Sequence, residues 1–151
     1  MDLKKINQGR EIICTRFFPV EPSTIFTAFS DPAILSLWWG PAGFTNTFHE
    51  FDFRPGGRWR FTMHGPGKGN YENECEFEII EEPLLITWKR HSKPLFKVVF
   101  EFERAEQGTQ LTFRQVFETG EECEKIRKYT VGKNGENFDR LEKELGKVNG
   151  K

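Results

Sequence analysis

From Tyr71 to Phe117 the chain alternates apolar and polar residues with a period of two, and turn signals cut the pattern at intervals. Tyr71, Asn73, Cys75, Phe77 and Ile79 fall on one face, opposite Glu72, Glu74, Glu76 and Glu78. Glu82-Pro83 turns into a run with Leu84, Ile86 and Trp88 in phase. After His91 to Pro94 come Phe96, Val98, Phe100 and Phe102, and Gln107-Gly108 leads to Leu111, Phe113, Gln115 and Phe117. Alternation of this kind marks strands with one buried and one solvated face. Strands this close in sequence form an antiparallel meander, whose single apolar face must be covered by another layer.

The stretch before the meander extends the sheet. Residues 11–18 read as a first strand rich in β-branched and aromatic residues. Phe44 to Phe53 reads as another, with its apolar phase shifting from even to odd positions, so a bulge is expected near His49-Glu50. Pro55-Gly56-Gly57 is expected to form a three-residue hairpin loop into Arg58–His64. That loop sets Phe53 opposite Trp59, Asp52 opposite Arg60 and Phe51 opposite Phe61, which puts aromatics on one face and charges on the other.

Two short helices lie between, 22–30 entered through Pro22 and 33–38 capped by Asp31. The only long helical pattern starts at Gly120 and runs to about Leu145, with Ile126, Thr130, Phe138, Leu141 and Leu145 on one face. Val131 to Gly135 is poor helix, since each interior Gly costs about 1 kcal/mol relative to Ala. A kink, or room beneath the helix, is expected there. The fold class is therefore α+β: a curved antiparallel sheet of about seven strands around a long C-terminal helix, with two short helices after the first strand.

Sixteen phenylalanines make Phe the main core-filling residue, and a surplus could line a cavity. The 151 residues read as one domain, with its core at about 10–146. A net charge of −1 gives no global field for nucleic acid. Cys14, Cys75 and Cys123 form no disulfide framework, which fits a cytoplasmic protein with reduced thiols. The amino terminus has no apolar signal core, and no run reaches the ~20 apolar residues of a membrane span.

Three segments carry a resemblance: Arg16-Phe17-Phe18-Pro19-Val20 leading to Phe26-Thr27-Ala28-Phe29-Ser30-Asp31-Pro32; Leu37-Trp38-Trp39-Gly40-Pro41 with Phe44-Thr45; and Asp52 to Phe61. With the order of elements, they resemble the START-like, helix-grip (SRPBCC) superfamily, and within it stand-alone homologues of the activator of heat-shock protein 90 ATPase. The resemblance implies space between sheet and long helix. It does not imply one activity, because the superfamily hosts lipid binders and polyketide cyclases alike. Relatives usually place a large aromatic in the middle of the last helix, where this chain has Gly132 to Gly135.

The expected ligand cavity is lined by Trp38, Phe53, Trp59, Phe61, Met63, Tyr71, Asn73, Cys75, Phe77, Trp88, Phe100, Phe113, Gln115, Phe117, Ile126 and Thr130. Its expected occupant is a small, mostly apolar molecule such as a lipid or aromatic metabolite. The same aromatics would look identical as plain core, and Asn73 and Gln115 as amides bonded to neighbouring groups. His49, His64 and His91 lack metal-ligand spacing. His49 beside Glu50 is the one acid–base pair in sequence, and adjacent strand residues point apart unless a bulge re-aims one. No cofactor, metal or catalytic residue is assigned. The competing readings are a co-chaperone-like modulator of heat-shock protein 90 ATPase and a cyclase- or hydrolase-type enzyme.

Overall fold

The computed structural model describes residues 9–67 and 69–150. The amino-terminal residues 1–8, Lys68 and Lys151 lie outside the described residues. The elements follow the expected order: β1 (Glu11–Phe18), α1 (Pro22–Ser30), α2 (Pro32–Trp38), β2 (Thr45–Phe51), β3 (Arg58–His64), β4 (Asn70–Glu81), β5 (Leu85–Arg90), β6 (Lys97–Ala105), β7 (Gly108–Val116) and α3 (Gly120–Gly150). The seven strands form one antiparallel sheet in the order β1-β7-β6-β5-β4-β3-β2. The meander runs from β2 to β7, and β1 adds to its far edge.

The inward strand residues and the helices share one core. Phe29 of α1 sits 4.9 Å from Trp38, 4.6 Å from Phe100 and 5.2 Å from Phe102, all edge-on. Phe138 of α3 meets Phe18 of β1 at 5.8 Å. Each such pair adds about 0.5–1.5 kcal/mol beyond burial. Asp31 caps α2 by accepting from the Ala33 N–H at 2.9 Å. Thr119 caps α3, accepting from the Glu122 N–H at 3.1 Å while its hydroxyl donates to the Glu122 carboxylate.

Several expectations need correction. A bulge lies between Phe48 and Glu50 as the phase shift implied, but the hairpin pairs Phe51 with Trp59, Glu50 with Arg60 and Phe48 with Phe61. The turn therefore takes six residues, Asp52 to Gly57, rather than three. Its end leans on β4, where Gly56 N–H donates to Phe77 O at 2.8 Å and Phe77 N–H to Gly57 O at 2.9 Å. Phe53 leaves the strand to pack on Phe26 and Phe77. Asp52 pairs with Arg54, not Arg60, which bonds Glu50; Arg58 pairs with Glu74.

A second bulge between Phe77 and Ile79 turns Ile79 outward and Ile80 inward. Leu84 lies before β5 and is exposed. Helix α3 is unbroken across Gly132 to Gly135, and neighbours hold its turn at 135–139. Arg16 bonds the Gly135 carbonyl at 3.2 Å and Asp139 at 2.7 Å, and Asn137 accepts from the Gly40 N–H at 3.1 Å. A Cβ added at Gly132 or Gly135 would meet nothing within 4 Å.

Candidate ligand cavity

A cavity of about 210 Å³ lies between the sheet and the middle of α3. Inward positions of five strands or their flanks build its floor: Phe61 and Met63, Asn73 and Cys75, Trp88 and Arg90, Phe96 and Val98, Phe113 and Gln115. Phe61 pairs with Asn73, Cys75 with Arg90, and Val98 with both Trp88 and Gln115, so the floor is continuous across the ladder. Thr130, Lys133, Asn134 and Asn137 form the roof. They sit at i, i+3, i+4 and i+7, one face of a helix. The lining runs from buried Phe61 to exposed Lys133, so the cavity reaches the surface beside α3.

Trp39, Gly40 and Pro41 close one side. Trp39 is the residue at which α2 ends, with extended backbone (φ −66, ψ 132). Its ring turns onto Trp88 and Trp59, each at 5.6 Å. Arg140 holds this segment. Its guanidinium donates to the carbonyls of Leu37 (2.8 Å), Trp39 (3.1 Å), Gly40 (3.1 Å) and Pro41 (3.0 Å). A cation on the unpaired carbonyls at a helix C-terminus satisfies them and complements the helix dipole.

Polar groups on the lining are partly committed. The Asn134 side-chain N–H donates to Gln115 Oε1 at 2.9 Å, and Asn73 donates to Tyr71 O at 3.0 Å. Arg90 donates to Asn73 Oδ1, to Pro94 O (2.9 Å), and to Ser92 Oγ and Lys93 O (3.2 and 3.4 Å). Its guanidinium also lies 5.1 Å from the Phe96 ring centre. Among the described residues, Gln115 Nε2, Asn134 Oδ1 and Asn137 Nδ2 have no protein partner.

Burial pushes the Cys75 thiol up to about 12, with Arg90 opposing and Glu74 adding to the shift. That thiol is neutral at ordinary pH and a poor nucleophile. Burial also lowers Arg90, opposed by Cys75. Among the described residues no His, Asp or Glu lines the cavity. His49 bonds Thr62 at 2.7 Å and Glu50 pairs with Arg60, both off the cavity. Among the described residues no group of three or more His, Cys, Asp or Glu could hold a metal, and no helix is long and apolar enough to cross a membrane.

Of the residues expected to line a cavity, Phe61, Met63, Asn73, Cys75, Trp88, Phe113, Gln115 and Thr130 do so. Trp38, Trp59, Phe77 and Phe100 are packed core instead, and Phe53 is partly buried against that core. Trp38 is 0% exposed and donates its indole N–H to Ala28 O at 3.0 Å. Tyr71 is 54% exposed, because it sits at the outer end of β4. Phe117 and Ile126 border a separate surface groove with Lys93, Pro94 and Leu95. That groove is larger, about 470 Å³, but it is formed around exposed side chains such as Leu95. Sequence reasoning missed Trp39, Gly40, Pro41, Arg90, Phe96, Val98, Lys133, Asn134 and Asn137. Arg90 was in phase with Ile86 and Trp88.

Solved structures share this architecture. A protein of Nitrosomonas europaea superposes with a TM-score of 0.84 at 17% identity, covering 93% of this chain and 96% of that one. One from Mycobacterium smegmatis gives 0.84 at 21%, covering 94% of each. An AHSA1 protein of Silicibacter pomeroyi gives 0.72 at 22%, covering 90% of this chain and 97% of that one. No curated protein sequence matches significantly. The model of the family described as Activator of Hsp90 ATPase homolog 1-like protein matches residues 19–146. The chain belongs to that family, with its START-like fold.

Proposed function

We propose that this protein binds a small, mostly apolar molecule in the cavity between the sheet and α3. The observation that carries this reading is an aromatic floor under a roof of amides that still have free hydrogen-bonding atoms. Ligand sites combine apolar walls with a few placed polar groups in this way. An apolar cavity of ~150 Å³ takes benzene, so about 210 Å³ suits a single ring with a short side arm, or a short acyl chain.

The test is a melting-temperature screen of monocyclic aromatics and short acyl compounds, with mass spectrometry of an organic extract of the purified protein. A ligand at 100 times its Kd stabilises by about 2.7 kcal/mol. The shift disappears in Thr130→Phe, which places a ring in the cavity from the roof. No bound molecule and no shift across the screen rules the reading out. The family description favours a second reading, modulation of Hsp90 ATPase turnover. Unchanged turnover at saturating protein would dispose of it.

A further inference from the structure

Among the described residues, both charges on the cavity lining are positive. Arg90 enters from β5 and Lys133 from α3, and among the described residues no carboxylate lines the cavity. The chain as a whole has a net charge of −1, so this is a local arrangement and not a general excess of cations. Arg90 is in no ion pair among the described residues. Its acceptors are an amide, a hydroxyl and two carbonyls, all neutral. Across the ladder it faces Cys75, whose thiol burial keeps protonated.

A guanidinium has five N–H donors. One bond uses Nε, one uses the first terminal nitrogen and two use the second. One N–H on the first terminal nitrogen is left without a protein partner among the described residues. Gln115 Nε2 and Asn137 Nδ2 are further donors on the same lining without one. A partly buried cation with no counter-ion carries an uncompensated desolvation cost, which an anion beside it offsets. Arginine is suited to this role, since it stays charged when buried and its planar fork matches a carboxylate.

We propose that the cavity selects a small aryl or branched-chain carboxylate, with the acid group on Arg90 and the apolar body against Trp39, Trp88 and Phe113. This rests on the binding reading above and adds the charge of the ligand. The alternative role for Arg90 is only to tether residues 92–94, which it does through three of its bonds. Tethering alone gives no preference between an acid and its neutral isostere.

The test compares 3-phenylpropionate with 3-phenylpropanamide by titration calorimetry at neutral pH. The wild type binds the acid about 10- to 100-fold more tightly, the range of a charge-assisted hydrogen bond. Arg90→Gln brings the acid to the level of the amide, whereas Lys133→Gln, at an exposed position, reduces the preference by less than about fivefold. If Arg90→Gln does not fold, the wild-type pair decides the charge of the ligand and Lys133→Gln decides its seat. Equal binding of acid and amide overturns the anion proposal and leaves the binding reading intact. A preference that follows Lys133 instead of Arg90 overturns the seat. If neither compound binds, and the neutral aromatics of the screen do not either, both readings fall.

Discussion

Gly57→Ala tests whether the hairpin between β2 and β3 is held as the contacts imply. A Cβ at Gly57 would lie 2.0 Å from the Asp52 carbonyl oxygen and 2.9 Å from Asp52 C and Cγ, within clash distance of backbone that cannot rotate away. Retreat is blocked, because Gly57 N–H donates to Arg54 O at 2.8 Å and its carbonyl accepts from Phe77 at 2.9 Å. Relief of the overlap costs about 1–3 kcal/mol of overpacking, and losing one or two of those bonds adds about 1 kcal/mol each. The sum is about 2–5 kcal/mol. For a chain of this length the unfolding entropy is about 0.3 kcal/mol/K, so Tm falls by roughly 6–16 °C. Gly56→Ala is the control. Gly56 has φ +84 with open space around it, so Ala there meets only backbone strain, about 1–2 kcal/mol and roughly 3–6 °C. Calorimetry or urea unfolding of both variants gives the comparison. If Gly57→Ala costs no more than Gly56→Ala, the turn is not locked against β4, and the six-residue loop is wrong.

Other consequences can be checked more briefly. Arg140→Met removes four bonds to the carbonyls around Trp39 and should cost about 2–4 kcal/mol in urea unfolding. It should also weaken ligand binding, since Trp39 and Pro41 lose their anchor; an effect under about 0.5 kcal/mol contradicts that role. Cys75 gives a pH dependence. Its folded pKa is raised from 9.0 to about 12, so its contribution is full below pH 9 and lost as pH rises through 12. Over that interval the wild type should lose a few kcal/mol more than Cys75→Ala does; parallel curves would show that the thiol is not buried. In the native protein at pH 8, Cys75 should resist a disulfide reagent that labels it in urea.

The strand order was legible because period-two alternation and turn residues agree from Tyr71 to Phe117. The bulge at His49 was legible because the phenylalanines change phase across it. The bulge near Glu78 was not, since Ile79 and Ile80 are both apolar and either can face inward. The hairpin register erred for a related reason. Moving Trp59 from Phe53 to Phe51 shifts the pairing by two residues and keeps every face unchanged, so parity has no power to choose. The cavity floor followed in part from strand parity. Of the roof only Thr130 was legible, since it shares a face with Ile126, while Lys133, Asn134 and Asn137 are polar and read as solvent-facing. Trp38 and Trp39 were confused although the end of α2 at Trp38 was legible, because the turn of the Trp39 ring onto Trp59 and Trp88 depends on the extended backbone just past the helix.

The tryptophan indole signals of the 15N-labelled protein allow the cavity to be tested directly. Trp39 and Trp88 line it, whereas Trp38 is sealed against Ala28. During titration with 3-phenylpropionate, and with neutral toluene as a second probe, the Trp39 and Trp88 indole resonances should move saturably while Trp38 stays in place. No saturable movement of any indole, or movement led by Trp38, would contradict a ligand cavity beneath α3.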